Sequence, residues 1–146
     1  MVENPTPAQK RMAVYLDGTW NTIHDNTNVW RLTALTARHG TDGLEQLVRP
    51  GHAGRPEFSA GMFGVGIDDI LLDAYEWLIE NYNDSDELFI VGFSRGAFTA
   101  RNLSGLISRC GLLCAGAPLS IKQLYDRYRK GMKVPTLDHL LNHYST

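Results

Sequence analysis

Apolar positions along the chain change their period several times, and the changes divide it into elements. Residues 12–16 are an unbroken apolar run after Lys10-Arg11, the pattern of a strand buried on both faces. The run stops at Asp17-Gly18-Thr19, a turn signal. Val29, Leu32 and Leu35 then share one side of a predicted helix, with Asn26 or Thr27 placed to cap it and Gly40, after His39, to end it. Leu47-Val48 predicts a weak second strand stopped by Pro50-Gly51. From there to Gly66 the sequence is glycine-rich and aperiodic, which predicts a long loop. Ile67, Ile70, Leu71, Ala74, Leu78 and Tyr82 follow helical spacing, and Asp68 and Asp69 favour the N-terminal end of that helix dipole. Asn83-Asp84-Ser85-Asp86 closes it with turn formers. Residues 88–91 are the strongest strand pattern and run straight into Gly92-Phe93-Ser94-Arg95-Gly96. Ala97, Ala100, Leu103 and Ile107 line the next helix. Ser120 and Gln123 form a capping box for a last one carrying Ile121, Leu124, Tyr125 and Tyr128.

Three strands alternating with helices predict an α/β fold with a parallel sheet and right-handed crossovers. The 146 residues suit one small domain, and a hydrophobic share of 43% is ordinary for a folded chain. Residues 1–11 are polar at the start, hold two prolines and read as a disordered lead-in without the apolar core of a signal peptide. No apolar run reaches the ~18 residues of a membrane span. Synthesis in the cytoplasm is expected, with export by a route that cleaves no leader left open.

A net charge of −2 gives no bulk case for nucleic-acid binding. The local basic cluster Arg127, Arg129, Lys130 and Lys133 reads first as a solvated helix end and second as a contact for anionic lipid headgroups. Cys110 and Cys114 have neither zinc-site nor disulfide-framework spacing and read as reduced thiols.

Gly92-x-Ser94-x-Gly96 alone arises by chance in roughly one chain of this length in twenty. Its place where a buried strand meets a helix is the arrangement of a nucleophile elbow. A serine there sits at a strained turn, flanking glycines let strand and helix pack closely, and the helix directs N–H groups at the reacting centre. The predicted oxyanion donors are the N–H of Arg95 and one from Gly18 or Thr19, which follow the first strand. The alternative for Ser94 is a plain helix cap. Arg95 is equally suited to neutralising a phosphate or to pairing with an acid.

Leu16-Asp17-Gly18-Thr19-Trp20-Asn21, Thr27-Asn28-Val29, Gly92–Arg101 and Arg109-Cys110-Gly111-Leu112-Leu113 resemble successive motifs of one family. It is the α/β-hydrolase family that includes the type VI secretion phospholipase effectors. The resemblance implies a serine hydrolase of lipid esters using a Ser-Asp-His triad, with Ser94 as nucleophile and Asp17, Gly92 and Gly96 supporting the motif. It also implies a lipid substrate met at a membrane surface and a dedicated immunity protein. Residues 12–146 then read as the N-terminal part of a longer hydrolase domain. Triad order in such enzymes is serine, acid, histidine. After Ser94 come Asp126, Asp138, His139 and His143, which fall in or near the helices following the elbow rather than after later strands. The triad acid and histidine are therefore expected outside this chain, leaving it weakly active or inactive alone. The alternative is a catalytically inactive fragment or pseudoenzyme that works by binding a partner.

Other signals are weaker. His139 and His143 suit a solvated helix face better than a metal site, and His24 and His52 read as loop residues. Asp17-Gly18-Thr19 is similar to the phosphatase motif that needs an aspartate two positions earlier, where this chain has Tyr15. Gly61, Gly64 and Gly66 lack the Gly-Lys-Ser/Thr of a phosphate loop. No cofactor or metal is implied.

Overall fold

The computed structural model describes residues 9–18, 23–36, 45–51, 67–114 and 116–131. Three strands, β1 (Lys10–Leu16), β2 (Glu45–Gly51) and β3 (Glu87–Gly92), form a parallel sheet in the order β2-β1-β3. Four α-helices accompany it: α1 (Asn28–Leu35), α2 (Ile67–Asn81), α3 (Arg95–Cys110) and α4 (Ile121–Arg129). The glycine-rich segment read as a loop, residues 52–66, lies outside the described residues, as do His39, Gly40, His52, Asp138, His139 and His143.

The central strand explains the two-sided core. Met12, Val14 and Leu16 point to one face and pack with Leu71, Ala74, Tyr75 and Leu78 of α2, Leu103 and Leu106 of α3, and Leu124 of α4. Ala13 and Tyr15 point to the other and meet Val29 of α1. The chain thus passes from β1 to β2 through α1 on one face. It returns past β1 to β3 through α2 on the other. Opposite directions over opposite faces give both crossovers the same hand.

Several boundaries differ from those the pattern predicts. β1 begins at Lys10, inside the segment read as lead-in, because Lys10 is buried against Asp86. The Lys10 ammonium lies 2.5 Å from the Asp86 carboxylate, which also accepts the N–H groups of Lys10 (2.9 Å) and Asn83 (2.7 Å). Burial opposes ionisation of Asp86. Its hydrogen bonds from Lys10 and Asn83 outweigh that and hold the carboxyl below the usual range. β2 runs through Pro50 to Gly51 instead of stopping before them. Among the described residues it is an edge strand, the place where sheets tolerate proline.

Helix α1 is shorter than expected. Thr27 caps it by accepting the N–H of Trp30, but it ends at Leu35, well before Gly40. Thr36 closes it instead, held by a 2.6 Å hydrogen bond to the Tyr15 hydroxyl. Only Val29 of the predicted stripe is buried; Leu32 and Leu35 are exposed. On α3 the buried stripe is Gly96, Thr99, Ala100, Leu103 and Leu106; of the predicted line, Ala100 and Leu103 are buried and Ile107 packs half-buried against the core. The capping box at Ser120 and Gln123 forms as expected. Arg129, read as part of a basic cluster, is tied to Asp68 at 2.7 Å, and the same carboxylate accepts the Tyr125 hydroxyl. Cys110 is half-buried at the end of α3 and Cys114 is exposed; both are free thiols.

Candidate active site

The loops after β1 and β3 leave the sheet toward opposite faces, α1 on one and α3 on the other. Adjacent parallel strands whose following loops leave toward opposite faces mark a switch point at their carboxyl ends, the position where α/β sheets bind ligands. Asp17-Gly18 follows β1 there and Ser94 follows β3.

The β3–α3 turn is built by three residues. Ser94 has φ 55° and ψ −125°, a backbone region that L-residues rarely occupy. Holding it there costs about 1–3 kcal/mol, which the surrounding packing has to supply. The Ser94 hydroxyl makes no capping hydrogen bond to the helix it precedes, and the residue is exposed. The plain cap considered from sequence is therefore not what this side chain does. Its carbonyl accepts the N–H of Ala97 at 3.0 Å, which tightens the first turn of α3.

Glycine is required on both sides of the serine for space. A Cβ on Gly92 would lie 2.5 Å from the Gly96 carbonyl oxygen and 2.7 Å from the Ala97 Cα. A Cβ on Gly96 would lie 2.5 Å from the Leu16 carbonyl carbon and 2.6 Å from the Asp17 carbonyl oxygen. Helix α3 thus starts directly against the end of β1, and Phe93 extends the strand pairing by donating its N–H to the Leu16 carbonyl at 3.0 Å. The N–H of Arg95, in the first helical position, is one of the donors that a helix start leaves without an intrahelical acceptor.

In the loop after β1, Asp17 accepts the Gly18 N–H at 2.7 Å and the Thr27 hydroxyl. Thr27 is at once the cap of α1, so one carboxylate ties the end of β1 to the start of the next helix across the intervening loop. The Gly18 N–H, one of two candidate oxyanion donors in this loop, is therefore already engaged. Thr19, the other, lies outside the described residues. The role of Asp17 as anchor needed the structure, because its partner is ten residues away. His24 is the one histidine among the described residues, exposed in a single 3-10 turn at Ile23–Asp25.

Two aromatic rings beside the serine carry no core role. Phe93 is 50% exposed and Phe98, one helical turn after Ser94, is 59% exposed. The periodicity of α3 contained this signal, since position 98 lies opposite the buried stripe. Among the described residues no group of three metal-binding side chains comes together, and no helix is long and apolar enough to cross a membrane.

Residues 10–141 match the family described as the type VI secretion system phospholipase effector Tle1-like catalytic domain. The chain belongs to that family. An uncharacterised protein of Saccharomyces cerevisiae is 39% identical over 69 residues, 47% of this chain and 10% of that protein. The chain thus spans about a tenth of the length of that relative. No solved structure matches. The family's description is of the catalytic domain of a phospholipase effector.

Proposed function

We propose that this chain supplies the nucleophile of an α/β-hydrolase-type serine esterase acting on phospholipid ester bonds. One observation carries the reading: Ser94 sits at positive φ between β3 and α3, flanked by two glycines at which an added Cβ would lie under 3.0 Å from backbone atoms. Strain kept at an exposed hydroxyl, with no capping bond to account for it, is the mark of a residue placed for chemistry.

In this reading the Ser94 Oγ attacks the ester carbonyl carbon while its proton passes to a histidine. The developing oxyanion is held by the N–H of Arg95 and by the Asp17–Thr19 loop. Since Gly18 donates to Asp17, the second donor falls to Thr19. Collapse of the tetrahedral intermediate returns the proton to the departing alcohol and leaves an acyl-serine, which water then hydrolyses. The histidine and its acid partner come from outside this chain, consistent with triad order. Release of fatty acid from phospholipid by the complete catalytic domain tests the proposal. Ser94→Ala is expected to abolish it, and full release by that variant would refute the proposal.

One feature favours the binding-module reading. Among the described residues β3 pairs with β1 alone, and Phe89 on it is 51% exposed. Unchanged association with a partner in Ser94→Ala, without any hydrolysis by the wild type, would select that reading.

A further inference from the structure

We infer that Phe93, Phe98, Arg95 and Arg101 form a collar around Ser94 that docks the protein on a bilayer carrying anionic phospholipid. The inference rests on the phospholipase reading and adds how the substrate surface is met. Phe93 immediately precedes the serine, and Phe98 follows it by one turn of α3, its N–H directed at the Ser94 carbonyl. Both rings are at least half exposed, although Gly96, Thr99 and Ala100 of the same helix are buried. Arg101 follows Phe98 at i+3 on the same exposed side of α3, and Arg95 opens the helix.

The charges are one-signed. Helix α3 carries Arg95, Arg101 and Arg109 and no carboxylate. No ion pair joins Arg95 or Arg101 to an acid among the described residues. The carboxylate of the adjoining loop, Asp17, is engaged by Gly18 and Thr27. Acidic residues gather instead on α2, whose sequence holds Asp68, Asp69, Asp73, Glu76 and Glu80 and no basic residue. Half-exposed rings interleaved with unpaired guanidinium groups match an interface where acyl chains meet phosphate headgroups. A protein partner would need acidic side chains and apolar pockets in the same spacing. A bilayer presents both everywhere, and the family's substrate lies in one.

The test is binding of the full chain carrying Ser94→Ala to vesicles of phosphatidylcholine alone or mixed with phosphatidylglycerol. Arg101→Gln is expected to weaken binding to the anionic vesicles about fivefold at low salt, with the difference vanishing at high salt. Phe98→Ser is expected to weaken it roughly tenfold at any salt. Arg109→Gln, about 12 Å further along the same helix, serves as the control and leaves binding unchanged. Equal loss in Arg101→Gln and Arg109→Gln would overturn the inference in favour of general charge attraction. A Phe98→Ser chain that unfolds more easily yet binds vesicles as before would overturn it too, showing that protein covers that ring. Labelling of Ser94 in the complete catalytic domain by a water-soluble fluorophosphonate reports separately on the nucleophile, so failure of the collar and failure of the nucleophile are distinguishable.

Discussion

Replacing Gly96 by alanine adds one methyl group at the point where α3 meets the end of β1. The new carbon would sit 2.5 Å from the Leu16 carbonyl carbon and 2.6 Å from the Asp17 carbonyl oxygen, against 3.4–4 Å for ordinary contact. Both obstacles are backbone, so relief requires helix and strand to separate by about 1 Å. Overpacking of this kind costs about 1–3 kcal/mol, and rigid backbone on both sides places it near the top of that range. Alanine regains about 1 kcal/mol of helix propensity. The net expectation is about 2 kcal/mol of destabilisation, or about 4–8 °C in Tm for a chain of this size. Gly105→Ala on the same helix gains the same propensity but meets only the Tyr128 hydroxyl, the end of a side chain that can swing aside, with Cζ already at 3.5 Å. It should fall within about 1 kcal/mol of wild type. Denaturant unfolding of both variants reads the difference. Displacing the Ser94 turn by about 1 Å should also slow its acylation about a hundredfold. Equal stability of the two variants, with unchanged acylation in Gly96→Ala, would refute the close approach of α3 to β1.

Ser94→Gly should unfold about 1–3 kcal/mol later than Ser94→Ala, because glycine removes the positive-φ strain while alanine keeps it; chemical denaturation compares them directly. Asp86, with its carboxyl held below the usual range, contributes stability that is complete above pH ~4 and lost as pH falls through its folded value. Asp86→Ala, which strands the buried Lys10 ammonium, should cost about 3–5 kcal/mol at neutral pH and flatten the acid limb of the stability profile. Tyr75 donates to the Gly111 carbonyl at 2.8 Å and accepts the Leu113 N–H at 3.2 Å, and burial pushes its hydroxyl up to about 12. Its contribution is full below pH ~10 and fades as pH rises toward 12, and Tyr75→Phe should cost about 1–3 kcal/mol in urea unfolding at neutral pH.

What the sequence made legible was what short-range rules decide. The capping box of Ser120 and Gln123 spans three residues, and both of its bonds form. The strand leading into Gly92-x-Ser94-x-Gly96 was legible for the same reason. Features set by distant partners were not. Lys10 looks like a lead-in residue until Asp86, 76 positions later, is placed beside it. Pro50 reads as a strand breaker until the sheet order makes β2 an edge. Leu106, not Ala97, completes the buried α3 stripe because the packing of the whole core, and not the helix's own period, decides which side is covered. At the site, the motif marked Gly96 as special, but only the fold names Leu16 and Asp17 as the atoms that require it. The capture of the Gly18 N–H by Asp17 was equally invisible, and it moves the second oxyanion donor in the proposed mechanism to Thr19.

The central claim is that Ser94 is a nucleophile and not a strained structural serine. Reaction of the complete catalytic domain with a fluorophosphonate, followed by mass spectrometry of its peptides, tests it most directly. The account predicts one adduct, on Ser94, lost in Ser94→Ala while the variant stays folded. A folded domain that hydrolyses phospholipid with its label on another residue, or with none at all, would contradict it.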